Sequence, residues 1–195
     1  MNYFDDTIKV ISDALRTVDS SQIEKLIDHC SDAIEKGKKI IVSGLGKNVP
    51  ICDKFVGTMI SLGLEAYFLH TNSAVHGDMG IVKSGDLVII LTKSGETGES
   101  IYLTQKLMKR DVELWLLTFS DNSTLIKMIP NSIVVNMAHE GDLWNIVPNN
   151  STTLNLIILQ TIAINLAKKR NISLNEFRQN HPGGHIGQLL CEDLQ

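Results

Sequence analysis

The sequence lacks the features that mark several classes of protein. Its three cysteines have no CxxC spacing, so they indicate neither a disulfide framework nor a zinc site, and reduced thiols are expected. No run of about 18 apolar residues is present, which argues against a membrane span. The first six residues include two aspartates and no basic residue, unlike the basic start of a signal peptide. We therefore expect a soluble, cytoplasmic protein with no membrane partner.

Positive charge and known cofactor motifs are also scarce. The net charge is −4, and the largest basic cluster is Lys168–Arg170, so no nucleic-acid partner is expected. A dinucleotide-binding GxGxxG fingerprint would need a third glycine at position 49, where Val49 stands, and a Walker A motif is missing. The one pair of histidines with HxxxH spacing, His181 and His185, lies around a predicted Pro-Gly-Gly turn and is not taken as a dedicated metal site. We expect neither a cofactor nor a dedicated metal.

The sequence does contain apolar runs that alternate with helical patterns. Strands are predicted near residues 39–43, 65–69, 87–92, 112–117 and 131–136, with helices near 48–62, 97–110 and 122–129. The runs Ile40–Val42 and Leu87–Leu91 lack polar alternation, which is typical of parallel strands buried on both faces. The predicted fold class is α/β, a three-layer α-β-α sandwich around a five-stranded parallel sheet.

Helices are predicted on both sides of this core. Residues 4–17 have helical apolar spacing, and Ser21–Glu24 reads as a capping box that opens a second helix, which ends at Gly37. These helices pack either on their own sheet or on a neighbouring subunit. After a loop at 137–150, the predictions are a helix from Ser151 to about Lys169, a short one at 173–179, and a turn at His181–Gly184.

The polar loops that follow the strands are the part most informative about function, because ligands of such sheets lie beyond the carboxyl ends of the strands. After the third predicted strand, Thr92, Ser94 and Thr97 offer hydroxyl groups, and Gly95 allows a sharp turn into a helix. With Ser43, they are the predicted anchor for a phosphate at a helix N-terminus. The alternative is a simple capping box, with Ser94 as N-cap and Thr97 in the first turn.

Two further loops carry hydroxyl groups. In 118–124, serine and aspartate are predicted to cap the next helix. In 148–153, capping accounts for one polar side chain, and the surplus indicates ligand contact.

Taken together, these motifs resemble the SIS (sugar isomerase) domain, and within it the arabinose-5-phosphate isomerases of the KpsF/GutQ type. The resemblance spans roughly residues 35–190. It is carried by Ser43–Lys47, His76–Gly80, Ser94–Thr97 with Glu99, Pro148–Thr153 and His181–Gly187. It implies a single SIS domain over 1–195, with N-terminal helices at 2–36 and a flavodoxin-like or Rossmann-like SIS core at 37–190. It also implies a homo-oligomer, a dimer of dimers with sites at subunit interfaces.

The resemblance implies an aldose-ketose isomerase of the arabinose 5-phosphate/ribulose 5-phosphate type, which acts on a small sugar phosphate through an enediol without a metal. The implied catalytic residues are Lys47, His76, Glu99, Glu140 and His181. The residues predicted to bind the phosphate or the sugar are Ser43, Gly44, Gly46, Asn48, Thr92, Ser94, Gly95, Thr97, Ser151 and Thr152. The other histidines are expected to be structural (His29, His70, His139) or are left undecided (His185).

The sequence also departs from the family pattern. Asn48 stands where the family usually has serine, and Asp142 and Trp144 lie in a segment where it favours Glu-Arg-Glu-Ala-Cys-Pro. The CBS domain pair found in many members is expected to be absent, and with it regulation through those domains. Two alternatives therefore stay open: a non-catalytic SIS protein that senses a sugar phosphate, and a 6-phospho-3-hexuloisomerase.

Overall fold

Strands and helices alternate along most of the chain in the computed structural model, which describes residues 4–192. The strands are β1 Ile40–Gly44, β2 Ala66–His70, β3 Leu87–Thr92, β4 Glu113–Thr118 and β5 Asn131–Val134. The helices are α1 Asp5–Leu15, α2 Ser20–Glu35, α3 Val49–Ser61, α4 Thr71–Ala74, α5 Gly98–Leu107, α6 Thr124–Met128, α7 Asn150–Lys169, α8 Leu174–Gln179 and α9 Gly184–Glu192. Single 3-10 turns lie at Gly46–Asn48 and Asp78–Ile81.

The five strands form one parallel sheet in the order β2-β1-β3-β4-β5. This confirms the predicted five-stranded parallel sheet. β1 and β3 are buried along their whole length, as their uninterrupted apolar runs indicated. Ile40 pairs with Leu87 across them. Because β1 has β2 on one side and β3 on the other, a crevice is expected beyond the carboxyl ends of β1 and β3.

Helices cover both faces of the sheet, so the three-layer architecture is also confirmed. Alternate side chains of a strand serve opposite faces: Ile40 and Val42 join the core beneath α1, α2, α3 and α7. Ile41, between them, joins the core beneath α5 and α6. Of the N-terminal helices, α2 packs directly on the sheet and on α7, and α1 packs on α7, so they cover their own sheet, which was one of the two alternatives.

Three local predictions differ from the structure. The capping box at Ser21–Glu24 is wrong: α2 begins at Ser20, and the carboxylate of Asp19 accepts hydrogen bonds from the backbone N–H and hydroxyl of Ser21 at 2.9 and 2.7 Å. The short helix α4 lies between the strands predicted near 65–69 and 87–92, where no helix was predicted. Helix α9 is missing from the prediction because its glycines weaken the helical pattern.

Between residues 4 and 192, no helix has both the length and the apolar composition needed to cross a bilayer. The organisation as one domain, with N-terminal helices at 2–36 and a core at 37–190, stays a prediction.

Candidate functional site

Side chains within the turn after β3 fix its backbone conformation. The hydroxyl oxygen of Thr92 accepts a hydrogen bond from the backbone N–H of Gly95 at 3.1 Å, and that of Ser94 accepts one from the backbone N–H of Glu96 at 3.2 Å. Gly95 has a φ of +68°, so the chain bends sharply before α5. The N-cap of α5 is Thr97, which makes no side-chain capping bond. The capping-box alternative with Ser94 as N-cap is therefore wrong.

A carboxylate that the sequence did not single out ties this turn to α6. Glu96 accepts hydrogen bonds from the backbone N–H and the hydroxyl of Thr124, both at 2.7 Å, and these bonds lower the pKa of Glu96. Ser123 is the N-cap of α6 and accepts from the backbone N–H of Ile126 at 3.3 Å. The prediction that a serine caps this helix is confirmed. The hydrogen bonds from Thr124, the first residue of α6, therefore stabilise the turn.

Three predicted loops meet around one cleft of about 350 Å³ at the carboxyl ends of β1 and β3. The predicted residues that line it are Gly46, Lys47, Asn48, Thr92, Ser94, Thr97, Ser151 and Thr152. Three of the residues predicted to bind the phosphate or the sugar do not line it. Ser43 is fully buried and bonds to the hydroxyl of Thr71 at 3.1 Å, Gly44 packs against Asn48 and Cys52, and Gly95 faces Ser123. These three residues lie outside the lining of the cleft and contact the residues that surround it.

Glu140 lies beneath this cleft, not in its lining. Its side chain is fully buried and accepts four hydrogen bonds, from the backbone N–H groups of Asn149 and Ser151, the Ser151 hydroxyl and the Lys93 ammonium, at 2.6 to 3.0 Å. Burial by itself raises the pKa of Glu140, but the hydrogen bonds outweigh it and hold that pKa below its ordinary value. Glu140 thus caps α7 and positions two side chains that do line the cleft.

We expect Glu140→Ala to lower the free energy of unfolding by about 3 kcal/mol, because two backbone donors and a hydroxyl lose a charged acceptor. Since the pKa of Glu140 is lowered by folding, its carboxylate stabilises the fold above the ordinary value of 4.5, and this stabilisation is lost as pH falls through the folded value. The difference between wild type and variant should therefore shrink below pH 4.5.

Urea denaturation at pH 7 and at acid pH measures both effects. Glu24→Ala, which removes an exposed glutamate on α2, is the control and should change stability by less than about 0.5 kcal/mol. A loss of less than about 1 kcal/mol in Glu140→Ala would contradict the structural role of Glu140.

The remaining catalytic candidates lie elsewhere in the chain. His76 and Glu99 line a second cavity of about 280 Å³, together with Thr71, Asn72, Val75 and Tyr102. His181 lies next to neither cavity: its Nδ1 contacts the Phe177 carbonyl at 2.8 Å, its Nε2 contacts the Ser61 hydroxyl at 3.0 Å, and its ring stacks on Phe177. One copy of the chain therefore does not bring the five catalytic candidates together.

Two of the other histidines have structural partners. His29 bonds to Glu113, and the His70 ring accepts a hydrogen bond from the backbone N–H of Asn72 at 3.3 Å, which caps α4. These contacts agree with the structural roles expected for both. Nowhere in the described part of the chain do three metal-ligating side chains form a group.

Lys93 and Asn155 are among the cleft residues that the sequence analysis missed. Lys93 lines the cleft and pairs with Glu140, although it directly precedes Ser94 in the predicted turn. Asn155 lines the cleft from α7, one helical turn after Ser151, so helical spacing could have found it. Its amide donates to the Asn48 side chain at 2.9 Å, while its own Oδ1 is buried and has no hydrogen-bond partner.

Comparison with known proteins gives consistent matches. A family model described as "SIS domain" matches residues 33–167. Arabinose 5-phosphate isomerase KpsF of Escherichia coli is 33% identical over 175 residues, which are 90% of this chain and 54% of that protein. An uncharacterised protein of Helicobacter pylori is 31% identical over 170 residues, 87% of this chain and 52% of that one. The solved structure of E. coli CFT073 c3406 in complex with arabinose 5-phosphate has a TM-score of 0.82 and 28% identity, and the match covers 90% and 92% of the two chains.

Proposed function

We propose that this chain, which belongs to the SIS domain family, is a sugar-phosphate isomerase that interconverts an aldose and a ketose. The finer proposal is the pair arabinose 5-phosphate and ribulose 5-phosphate, with an enediol intermediate and no metal. It is supported by the name of the E. coli relative and by the sugar-phosphate complex of the solved neighbour. The chain spans about half the length of the curated relatives it matches, so the activity of those whole proteins comes to it as a proposal.

The observation that carries the proposal is the cleft at the carboxyl ends of β1 and β3. Hydroxyl groups from two loops face the same space, and α5 and α7 both start beside it. Helix N-termini favour an anion, and the side chains of Lys47 and Lys93 add positive charge at the cleft. We assign the phosphate group of the substrate to this cleft.

Proton transfer between C1 and C2 is assigned to Glu99, with His76 beside it. In a pentose 5-phosphate these carbons are at the far end of the molecule from the phosphate, so the acid-base groups are expected next to the anchor and not within it. Glu99 meets this condition, because it follows the anchoring Thr97 by two residues and lines a cavity other than the phosphate cleft. Lys47 lines the cleft assigned to the phosphate, so its ammonium group is assigned to holding that phosphate.

The roles of Glu140 and His181 are assigned differently. Glu140 acts through the residues it holds, since its carboxylate is fully buried and accepts hydrogen bonds from the start of α7 and from Lys93. The ring of His181 is engaged within its own chain, and its catalytic role stays a prediction for the homo-oligomer, which we propose is a dimer of dimers.

A sugar-phosphate sensor is the second candidate, because the catalytic candidates of one chain lie in separate places. The alternative 6-phospho-3-hexuloisomerase has less support. A solved structure from Methanococcus jannaschii is described with an inferred function of 3-hexulose-6-phosphate isomerase. It is 18% identical to this chain, and a likeness at that identity supports a shared fold and not a shared function.

The test is an NMR assay of the purified protein in D₂O with arabinose 5-phosphate, ribulose 5-phosphate and a set of hexose 6-phosphates. We expect interconversion of the two pentose phosphates, incorporation of deuterium at the carbon that exchanges its proton, and no loss of rate with EDTA. Binding without turnover would overturn the isomerase and favour the sensor. Turnover of a hexulose 6-phosphate only would replace the pentose substrate and keep the reaction class.

A further inference from the structure

The side chain of Lys93 connects the end of β3 to a buried carboxylate. Lys93 is the first residue after β3, and its carbonyl oxygen accepts hydrogen bonds from the backbone N–H of Phe119 at 3.1 Å and from the hydroxyl of Thr118 at 3.2 Å. These bonds to the end of β4 and the residue after it fix the backbone from which the side chain starts. The ammonium group lies 2.6 Å from Glu140, the residue that caps α7.

The Lys93 ammonium group and the Ser151 hydroxyl are neighbours, because both donate to the same oxygen, Oε1 of Glu140, at 2.6 Å. The other oxygen of Glu140 accepts from the backbone N–H groups of Asn149 and Ser151 at 3.0 and 2.9 Å. Lys93 and Ser151 line the cleft, whereas Glu140 is fully buried beneath it. The ammonium group is therefore placed between the buried charge and a ligand in the cleft.

The ammonium group also has donors left for a ligand. An ammonium group carries three N–H donors, and one of those of Lys93 is directed at Glu140. The Lys93 side chain is 43% exposed, so the others are open to the cleft. Because its partner holds it in place before a ligand arrives, binding costs it less conformational entropy. Within residues 4–192, no carboxylate pairs with the other cleft lysine, Lys47.

The negative charge of Glu140 opposes phosphate binding unless it is compensated. Although burial raises the pKa of Glu140, the hydrogen bonds it accepts hold that pKa below its ordinary value, so the side chain is a carboxylate at neutral pH. A carboxylate beneath the cleft repels an anion, and burial leaves this repulsion poorly screened by water and salt. Without the Lys93 ammonium group, a phosphate in the cleft would face an uncompensated buried charge.

We propose that Lys93 determines the affinity of the cleft for phosphate in two ways: it donates to the phosphate group, and it shields that group from the carboxylate of Glu140. Lys47 also holds the phosphate, but it shields no buried charge. The inference rests on the assignment of the phosphate to the cleft under the proposed function. It does not depend on which sugar carries the phosphate or on the residues that transfer protons.

A purely structural ion pair is the alternative. Lys93 would then stabilise the start of α7 through Glu140, and its loss would affect phosphate affinity no more than the loss of Lys47. A double-mutant cycle separates the two cases, because shielding exists only while Glu140 is charged.

Calorimetric titration with inorganic phosphate, at one pH and one ionic strength, measures the dissociation constants. Lys93→Gln keeps a donor for Glu140 and removes the positive charge, so it should raise the Kd about 100-fold or more. Lys47→Gln should raise the Kd only about 10-fold, as expected for one charged hydrogen bond. Lys83→Gln removes the same charge at an exposed position before β3, and this control should leave the Kd unchanged.

The second half of the cycle repeats these changes in a Glu140→Gln background. With the carboxylate neutralised, Lys93→Gln and Lys47→Gln should each raise the Kd by about the same factor of 10 relative to Glu140→Gln alone. These double variants bury no unpaired charge, so the comparison holds even if Lys93→Gln by itself fails to fold.

Equal losses of affinity in Lys93→Gln and Lys47→Gln would overturn the shielding role. So would a loss of about 100-fold for Lys93→Gln that persists in the Glu140→Gln background. A wild type that binds no phosphate would overturn the assignment of the phosphate to the cleft, and this inference with it. Turnover is measured separately by the NMR assay, so failure of the Lys93 role and failure of the isomerase are distinguishable.

Discussion

Gly95→Ala is expected to lower the free energy of unfolding by about 2–5 kcal/mol and to abolish phosphate binding. Its φ of +68° costs a residue with a Cβ about 1–2 kcal/mol. An added Cβ would also lie 2.1 Å from the hydroxyl oxygen and 2.7 Å from the Cβ of Ser123, and relief of such overpacking costs about 1–3 kcal/mol. Ser123 is the N-cap of α6, so the collision strikes a side chain that is already engaged.

The same turn offers a matched control. Gly98 is the first residue of α5, and nothing lies within 4 Å of the Cβ that alanine would add there. Gly98→Ala should leave stability unchanged or raise it by up to about 1 kcal/mol, since alanine is the better helix former. Urea denaturation gives the stabilities, and calorimetric titration with inorganic phosphate gives the affinities. If both variants behave like the wild type, the close contact between the turn and α6 is wrong.

The second large effect is expected from Glu99→Gln, which should lower kcat about 10²- to 10⁴-fold. Glutamine keeps the shape of the side chain and removes its ability to take a proton. Glu99 is exposed and lines a cavity apart from the phosphate cleft, so KM and the free energy of unfolding should change little. A loss of kcat alone is what removal of a base used only in the transition state produces.

Glu96 provides the comparison, since it lies three residues earlier and bonds to Thr124. Glu96→Gln should reduce stability while kcat falls much less than in Glu99→Gln. Steady-state kinetics with the best substrate from the NMR assay, together with urea denaturation, separates the two carboxylates. Wild-type kcat in Glu99→Gln would remove Glu99 as the base, and the isomerase proposal would then need another one.

The fold was predictable because the amino-acid composition of the strands indicates that they are buried. Val88, Ile89 and Ile90 belong to an unbroken apolar run, and a run of this kind at the centre of the sheet has no solvated face. The cleft was partly predictable for a related reason. In a parallel sheet the loops after the strands meet at one edge, so the polar residues of 43–48 and 92–97 were expected together.

What the sequence could not give are contacts between distant segments and exact backbone turns. Lys93 and Glu140 are separated by more than 40 positions, and nothing in the local pattern around Lys93 indicates its buried partner. The alternative with Ser94 as the helix cap is wrong because the chain bends at Gly95 and α5 begins only at Gly98. The contact of the His181 ring with the Ser61 hydroxyl joins positions 120 apart, which spacing along the chain does not encode.

The place of β3 at the middle of the sheet links ligand binding to folding. Because β1 and β4 flank it, the strand that ends in the phosphate turn can separate only when the whole sheet does. Any ligand that binds in the cleft therefore stabilises the entire chain against unfolding. At a free ligand concentration of 100 times its Kd, the free energy of unfolding rises by about 2.7 kcal/mol. In cells, the supply of substrate would then help to set how long the protein survives proteolysis as well as how fast it turns over.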